Sequence, residues 1–90
     1  MIVDEPIRIR QLQALIILAE SGTMSLTAKA MNISQPAVSR LLADLSKELG
    51  YPLFSRSGRR LTLTREAQYL LPEIQRIFGA MGQIRNLRQN

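Results

Sequence analysis

The sequence predicts a mostly α-helical protein with a winged helix-turn-helix fold: a three-helix core, a short two-stranded β-wing and a long C-terminal helix. Three observations indicate this fold class. Residues 25–49 hold two helical patterns joined by a short polar turn, which is the layout of a helix-turn-helix. Residues 51–64 then read as two short strands around a Ser57-Gly58 tip. A heptad-like apolar repeat follows from residue 65 onward.

The first two helices are predicted to form a scaffold. Helical spacing on residues 9–20 predicts a first helix whose inward positions are Leu12, Leu15, Ile16 and Ala19. Ser21-Gly22 ends this helix, and the second is expected over residues 26–31 with Ser25 as its N-cap. Residues 1–6 are expected to be a loose tail.

The third helix has one apolar face and one face suited to DNA. Ser34 is a good N-cap, Pro36 is tolerated in the first turn, and Gly50 suits a left-handed C-terminal cap. The buried stripe is predicted to be Val38, Leu41, Leu42, Leu45 and Leu49. The opposite side, Pro36, Arg40, Ala43 and Lys47 with Ser39 on its flank, is small apart from two cations. Taken alone, this face fits a DNA-reading helix and a solvated helix surface equally well.

The hairpin after this helix favours the DNA-binding interpretation of the helix face over a merely solvated surface. Its cations Arg56, Arg59 and Arg60 lie at or beside the predicted tip, where they can reach phosphates or a narrow minor groove. A basic surface turn without a partner is the alternative, and the position directly after the third helix favours a wing. For Arg56 an ion pair with an acid of its own domain stays open, although we favour the wing.

Composition supports a polyanion as the partner. The net charge is +5, and residues 22–65 carry seven cationic side chains against two anionic ones. A membrane surface fits less well, because the cations do not share a helix with an exposed apolar face.

The chain contains no cysteine and no histidine, and its acids are scattered. We therefore expect no enzymatic activity, no metal and no cofactor. Without a signal peptide or a long apolar span, a cytoplasmic location is expected.

Residues 9–71 resemble the N-terminal DNA-binding domain of bacterial LysR-type transcriptional regulators. The markers are Ala28, the run SQPAVSR from Ser34 to Arg40, Leu49-Gly50, Pro52-Leu53-Phe54 with Arg56, Gly58-Arg59-Arg60 and Leu63-Thr64. Three positions depart from the family's usual pattern: Met24 replaces an aromatic, Ser46 a glutamate and Ala67 a glycine. None of the three is expected to touch the DNA face.

The predicted function is sequence-specific binding of double-stranded DNA. Gln35 can pair with adenine and Arg40 with guanine, while Pro36 or Ala37 can contact a thymine methyl. The resemblance most directly supports Gln35, Pro36, Ser39 and Arg40 as base readers. Contacts to the DNA backbone are expected from Ser25, Thr27, Ser34, Lys47, Arg56, Arg59 and Arg60. The alternative is a winged-helix protein-interaction module, but the exposed helix face offers no large aromatic anchor.

The C-terminal helix is predicted to form a homodimer. Its apolar seam steps by four and three residues, and we assign to the dimer interface Leu70, Ile74, Ile77, Phe78, Met81 and Ile84. The alternative is that the seam's first residues fold back on their own domain. We divide the chain into a DNA-binding domain, 1–64, and a linker or dimerisation helix, 65–90. A two-fold dimer would bind an inverted-repeat operator.

The resemblance also implies a C-terminal effector-binding domain that these residues do not contain. A small-molecule inducer would act only through that missing domain. We therefore interpret the chain as an isolated DNA-binding fragment, with a naturally truncated regulator as the alternative.

Overall fold

The computed structural model describes residues 7–57 and 60–87. In chain order its elements are α1 (Ile9–Ser21), α2 (Met24–Met31), α3 (Gln35–Leu49), β1 (Phe54–Ser57), β2 (Arg60–Leu63) and α4 (Arg65–Leu87). This order of three helices, a hairpin and a long helix confirms the predicted winged helix-turn-helix. The predicted tail and the predicted turn residue Gly58 lie outside the described residues.

Local capping fixes where α1 ends and α2 begins. Gly22 has a left-handed backbone (φ 85°), and its N–H donates to the Leu18 carbonyl at 2.8 Å. Thr23 is the N-cap of α2, because its hydroxyl accepts the Leu26 N–H at 3.0 Å. The prediction of Ser25 as N-cap was therefore wrong. Ser25 already lies in the first helical turn, which starts two residues before the predicted helix.

Helix α3 has the ends that the sequence predicted. The Ser34 hydroxyl accepts the Ala37 N–H at 3.2 Å, and the left-handed Gly50 donates to the Ser46 carbonyl at 2.8 Å. Val38, Leu42 and Leu45 are buried. Leu41 and Leu49 are half-buried against the same core, so the predicted stripe is confirmed.

The wing is a two-stranded antiparallel hairpin anchored at its base. Phe54 pairs with Leu63 across the strands, which confirms the predicted hairpin. The Thr64 hydroxyl donates to the Pro52 carbonyl at 2.8 Å and accepts the Ala67 N–H at 3.1 Å. Thr64 therefore ties the start of α4 to the segment that enters the wing. Leu53, 2% exposed, anchors that segment in the core.

All four helices contribute to one core. Its buried apolar residues are Ala14, Leu15, Leu18, Ala28, Val38, Leu42, Leu45, Leu53, Ala67 and Ile74. The inward face of α1 is therefore Ala14, Leu15 and Leu18, and the predicted Leu12, Ile16 and Ala19 are only half-buried.

The first half of α4 packs on its own domain rather than projecting from it. Ile74 is 2% exposed in the core, so its assignment to a dimer interface was wrong. Leu70 and Phe78 are half-buried against the same core, which likewise limits what they can offer to a partner. Helix α4 begins at residue 65, but it supplies buried residues to the core of the preceding unit. The domain boundary proposed between residues 64 and 65 therefore stays a prediction.

Candidate nucleic-acid interface

The outer face of α3 is the candidate site, and the core positions it. Because Val38, Leu42 and Leu45 point inward, the residues half a turn away must point outward. Accordingly, the predicted base readers Gln35, Pro36, Ser39 and Arg40 are exposed, while Ala37 is half-buried. The structure thus presents one polar, largely small surface with an arginine in it.

The wing and the start of α2 border one flank of this face. One depression is lined by Met24, Gln35, Pro36, Ser39 and Arg56. A neighbouring one is lined by Gly22, Thr23, Met24, Ser25, Gln35, Arg56 and Leu61. The predicted backbone contacts Ser25 and Arg56 therefore lie beside the predicted base reader Gln35. Met24 lines both depressions, so the expectation that it lies away from the DNA face was wrong.

Arg56 is exposed in β1. Within the described part of the chain its guanidinium makes no ion pair with an acid, which leaves it able to contact a phosphate. The predicted contact Arg59 lies outside the described residues, as does the side chain of Arg60. Lys47 is exposed in the last turn of α3.

Thr27 is not available to DNA, contrary to our prediction. The residue is 0% exposed. Its hydroxyl donates to the Thr23 carbonyl at 2.8 Å and lies 3.1 Å from the Ser21 hydroxyl. Its N–H also donates to the Thr23 carbonyl, at 3.1 Å. Thr27 therefore belongs to the junction of α1 and α2. Ser34 is exposed, but its hydroxyl already accepts the Ala37 N–H.

Sequence reasoning missed the cations on the other flank of α3. Arg8 and Arg10, at the start of α1, share a depression with five further residues, Ile33, Ala37, Arg40, Leu41 and Asp44. The Arg8 Nη2 atom lies 3.6 Å from Asp44 Oδ2. The charge of these two arginines was visible in the sequence. Their proximity to Arg40 depends on how α1 packs across α3, which no local pattern encodes.

The described residues, 7–57 and 60–87, contain no cluster of three or more carboxylates able to hold a metal ion. Over the same ranges, no helix has the length and hydropathy needed to cross a membrane.

Comparisons with known proteins agree with this architecture. A family model described as "Bacterial regulatory helix-turn-helix protein, lysR family" matches residues 9–68. The regulatory protein NocR of Agrobacterium fabrum is 44% identical over 78 residues, which make up 87% of this chain and 26% of NocR. The transcriptional regulator DgcR of a Pseudoalteromonas species is 35% identical over 83 residues, 92% of this chain and 28% of DgcR. The chain thus spans only about a quarter of the length of these relatives.

Solved structures share the fold over nearly the whole chain. The CbnR DNA-binding domain, solved in complex with DNA, is 33% identical with a TM-score of 0.83; the match covers 91% of this chain and 94% of that one. The BenM domain, solved with benA site 1 DNA, has a TM-score of 0.84 at 23% identity, over 91% of this chain and 92% of that one, and it supports the fold alone. The chain therefore belongs to the LysR family of bacterial regulatory helix-turn-helix proteins, and its winged helix-turn-helix is the DNA-binding domain of a LysR-type transcriptional regulator.

Proposed function

We propose that this domain binds inverted-repeat operators as a homodimer, with each α3 in a major groove, and thereby regulates transcription. The observation that carries the proposal is the exposed N-terminal half of α3. Gln35, Ser39 and Arg40 are exposed there without a bulky neighbour on the helix surface between them. A helix with this profile can approach base edges closely, as major-groove reading requires.

Within this face, each side chain suits a different base contact. Arg40 carries a planar fork of donors that matches O6 and N7 of guanine, and the Gln35 amide matches N6 and N7 of adenine. Pro36 and Ala37 are apolar and small enough to contact a thymine methyl, although half-buried Ala37 has less surface to offer. Ser39, between the helix face and the wing, can donate to either a base or a phosphate.

Contacts to the DNA backbone would come from the elements around α3. Exposed Ser25, in the first turn of α2, and exposed Arg56, in β1, border the same depression as Gln35. Lys47 would meet a phosphate farther along α3, and Arg59 and Arg60 would extend the wing contact. The hydroxyl of Ser34 is bound to its own helix, so its contribution would be to cap α3 in the required orientation.

The test is a comparison of Arg40→Ala and Lys47→Ala on two duplexes, a site selected from random oligonucleotides and a scrambled version of it. Arg40→Ala should cost about 1–3 kcal/mol on the selected site and much less on the scrambled one, because it removes base readout. Lys47→Ala is the matched control on the same helix and should weaken both complexes equally, as a phosphate contact does. Equal losses for Arg40→Ala on both duplexes would demote Arg40 to a backbone contact.

The homodimer part of the proposal rests on the second half of α4. Ile77 is 39% exposed, Met81 38% and Ile84 68%, and they follow one another at steps of four and three residues. An apolar stripe of this kind usually packs against another chain. Ile77→Asp should therefore give monomers in sedimentation. Gln75→Asp, at an exposed position two residues away, is the matched control and should leave the dimer intact. A dimeric Ile77→Asp variant would contradict this seam.

The wider role is also a proposal, because the chain spans only part of its relatives. We infer a regulator that acts on DNA in the bacterial cytoplasm and responds to a small molecule through a further, effector-binding domain. The relatives NocR and DgcR are described as regulatory proteins, which supports a regulatory role for this chain.

A further inference from the structure

The geometry assigns a second phosphate-binding surface to Arg8 and Arg10 at the start of α1. We propose that these two arginines bind the DNA strand opposite the one that the wing faces. The inference rests on the proposed function, since it assumes that α3 lies in a major groove. It adds to that function a contact element outside the helix-turn-helix and the wing, and it predicts that the protein holds both strands at each half-site.

The first argument is the position of the surface across α3 from the wing. Successive residues turn by about 100° around a helix, so residues 35 and 39 lie on one flank and residues 37 and 44 on the other. The depressions agree with this division. Gln35 and Ser39 line the one that contains Arg56, whereas Ala37 and Asp44 line the one that contains Arg8 and Arg10.

The dimensions of DNA imply that the two flanks of α3 face different strands. A helix with its side chains is about 10–12 Å across, and the major groove is about 12 Å wide. A helix that fills the groove therefore brings each flank close to one sugar-phosphate backbone. The wing flank has Arg56 for this purpose, and the α1 flank has Arg8 and Arg10.

The second argument is charge. The α1-side depression is lined by three arginines, Arg8, Arg10 and Arg40, and by one carboxylate, Asp44. An unpaired carboxylate here would repel a phosphate, but Arg8 lies 3.6 Å from it and offsets its charge. Both side chains are about half exposed or more, at 62% and 46%, so the pair is weak and Arg8 can share its donors with a phosphate. Arg10 makes no ion pair within the described residues.

The third argument is that these cations contribute little to stability, since the ion pair between Arg8 and Asp44 is exposed and weak. They lie at the N-terminal end of α1, where the helix dipole favours anions and disfavours cations. The first turn of α1 contains no acidic residue to offset them. The backbone of Arg8 is nevertheless firmly anchored, because its N–H donates to Oε1 of Gln11 at 2.8 Å and Gln11 is 1% exposed. The backbone of Arg8 is thus tied to a buried side chain, and both arginines are exposed.

The experiment measures how binding to the selected duplex depends on salt for the wild-type protein, Arg10→Ala, Arg8→Ala and Arg76→Ala. Arg76 is an exposed arginine on α4 that pairs with Glu73, so its variant controls for the loss of one positive charge. Removing one phosphate contact lowers the slope of log affinity against log salt by about 0.9. The ratio of wild-type to Arg10→Ala affinity should therefore shrink about 3.5-fold between 50 and 200 mM salt. The ratio of wild-type to Arg8→Ala affinity should shrink by a similar factor, whereas the ratio of wild-type to Arg76→Ala affinity should not change with salt.

A second variant tests the role given to Asp44. Asp44→Asn removes the carboxylate that lines that depression and should tighten binding to selected and scrambled duplexes alike. Phosphate-ethylation interference then assigns the strands. In the wild-type protein, ethylation of each contacted phosphate should weaken binding, and Arg10→Ala should be insensitive at the phosphates that Arg10 binds. Arg56→Ala should likewise become insensitive to ethylation of the phosphates that Arg56 binds. The phosphates assigned to Arg10 should lie on the strand opposite those assigned to Arg56.

The outcomes separate the two proposals. Sequence-specific binding by the wild-type protein tests the proposed function, whereas the ratios between variants test the second surface. If the wild type binds but Arg10→Ala keeps its full salt slope, the surface is wrong and the proposed function stands. Insensitive phosphates on the same strand for Arg10→Ala and Arg56→Ala would likewise overturn the strand assignment. A wild type that binds no duplex would end both proposals.

Discussion

Replacement of Thr27 by valine tests whether this residue stabilises the fold or contacts DNA. Valine keeps the shape of threonine but removes the hydroxyl, which bonds to the Thr23 carbonyl and the Ser21 hydroxyl in a fully buried position. Each hydrogen bond contributes about 0.5–1.5 kcal/mol. The Thr23 carbonyl keeps the Thr27 N–H as a donor, and the Ser21 hydroxyl, 3.2 Å away, is then free to donate to it, so we expect a total loss of about 1–2 kcal/mol.

Thermal unfolding followed by circular dichroism measures this loss. For a domain of this size the melting temperature should fall by roughly 5–15 °C. Ser25→Ala, at an exposed position of the same helix, is the control and should leave the melting temperature nearly unchanged. Well below its melting temperature, Thr27→Val should bind DNA with the salt dependence of the wild type. A stable Thr27→Val protein with a reduced salt slope would refute the reasoning, because it would place the hydroxyl against a phosphate.

Substitutions at three further positions test the packing and the helix caps by urea unfolding. Leu42→Ala should lose about 2–5 kcal/mol, since Leu42 is 1% exposed and its removal leaves a cavity; a loss under about 1 kcal/mol would contradict its central place in the core. Ser34→Ala should lose about 1 kcal/mol with the cap of α3, and Ser34→Asp should recover most of it. Gly50→Ala should cost about 1–2 kcal/mol, because Gly50 has a φ of 85° that suits glycine. An unchanged Gly50→Ala protein would show that the helix end can relax.

Local signals explain why the helix-turn-helix and the wing were predictable. Ser34, Pro36 and Gly50 specify the ends of α3 through chemistry within a few residues, and the apolar period fixes its inward face. The hairpin follows from its short strands around a glycine. Exposure of Gln35, Ser39 and Arg40 follows in turn, since the face opposite a buried stripe must be solvated.

Residues whose environment depends on tertiary packing were assigned less well. Thr27 was interpreted as a surface polar residue, but α1 covers it and supplies the Ser21 hydroxyl as a partner. The heptad seam of α4 gave no indication of where its own domain ends. Periodicity identifies an apolar face but not the surface that covers it, so Ile74 and Ile77 looked equivalent although one is buried and the other exposed. Arg8 and Arg10 were overlooked for the same reason.

The three departures from the family pattern show how tertiary placement gives a residue its role. Ser46, in place of a glutamate, has a structural role, because its hydroxyl donates to the Tyr51 carbonyl at 2.6 Å and ties the end of α3 to the segment before the wing. Ala67 is 0% exposed, so it fills core volume besides favouring helix. Met24 differs from both, because it lines the depressions that Gln35 and Arg56 share. Its flexible thioether in place of a rigid ring leaves that wall of the site adaptable. The departure at position 24 therefore lies beside the candidate nucleic-acid interface, whereas those at positions 46 and 67 lie in the scaffold.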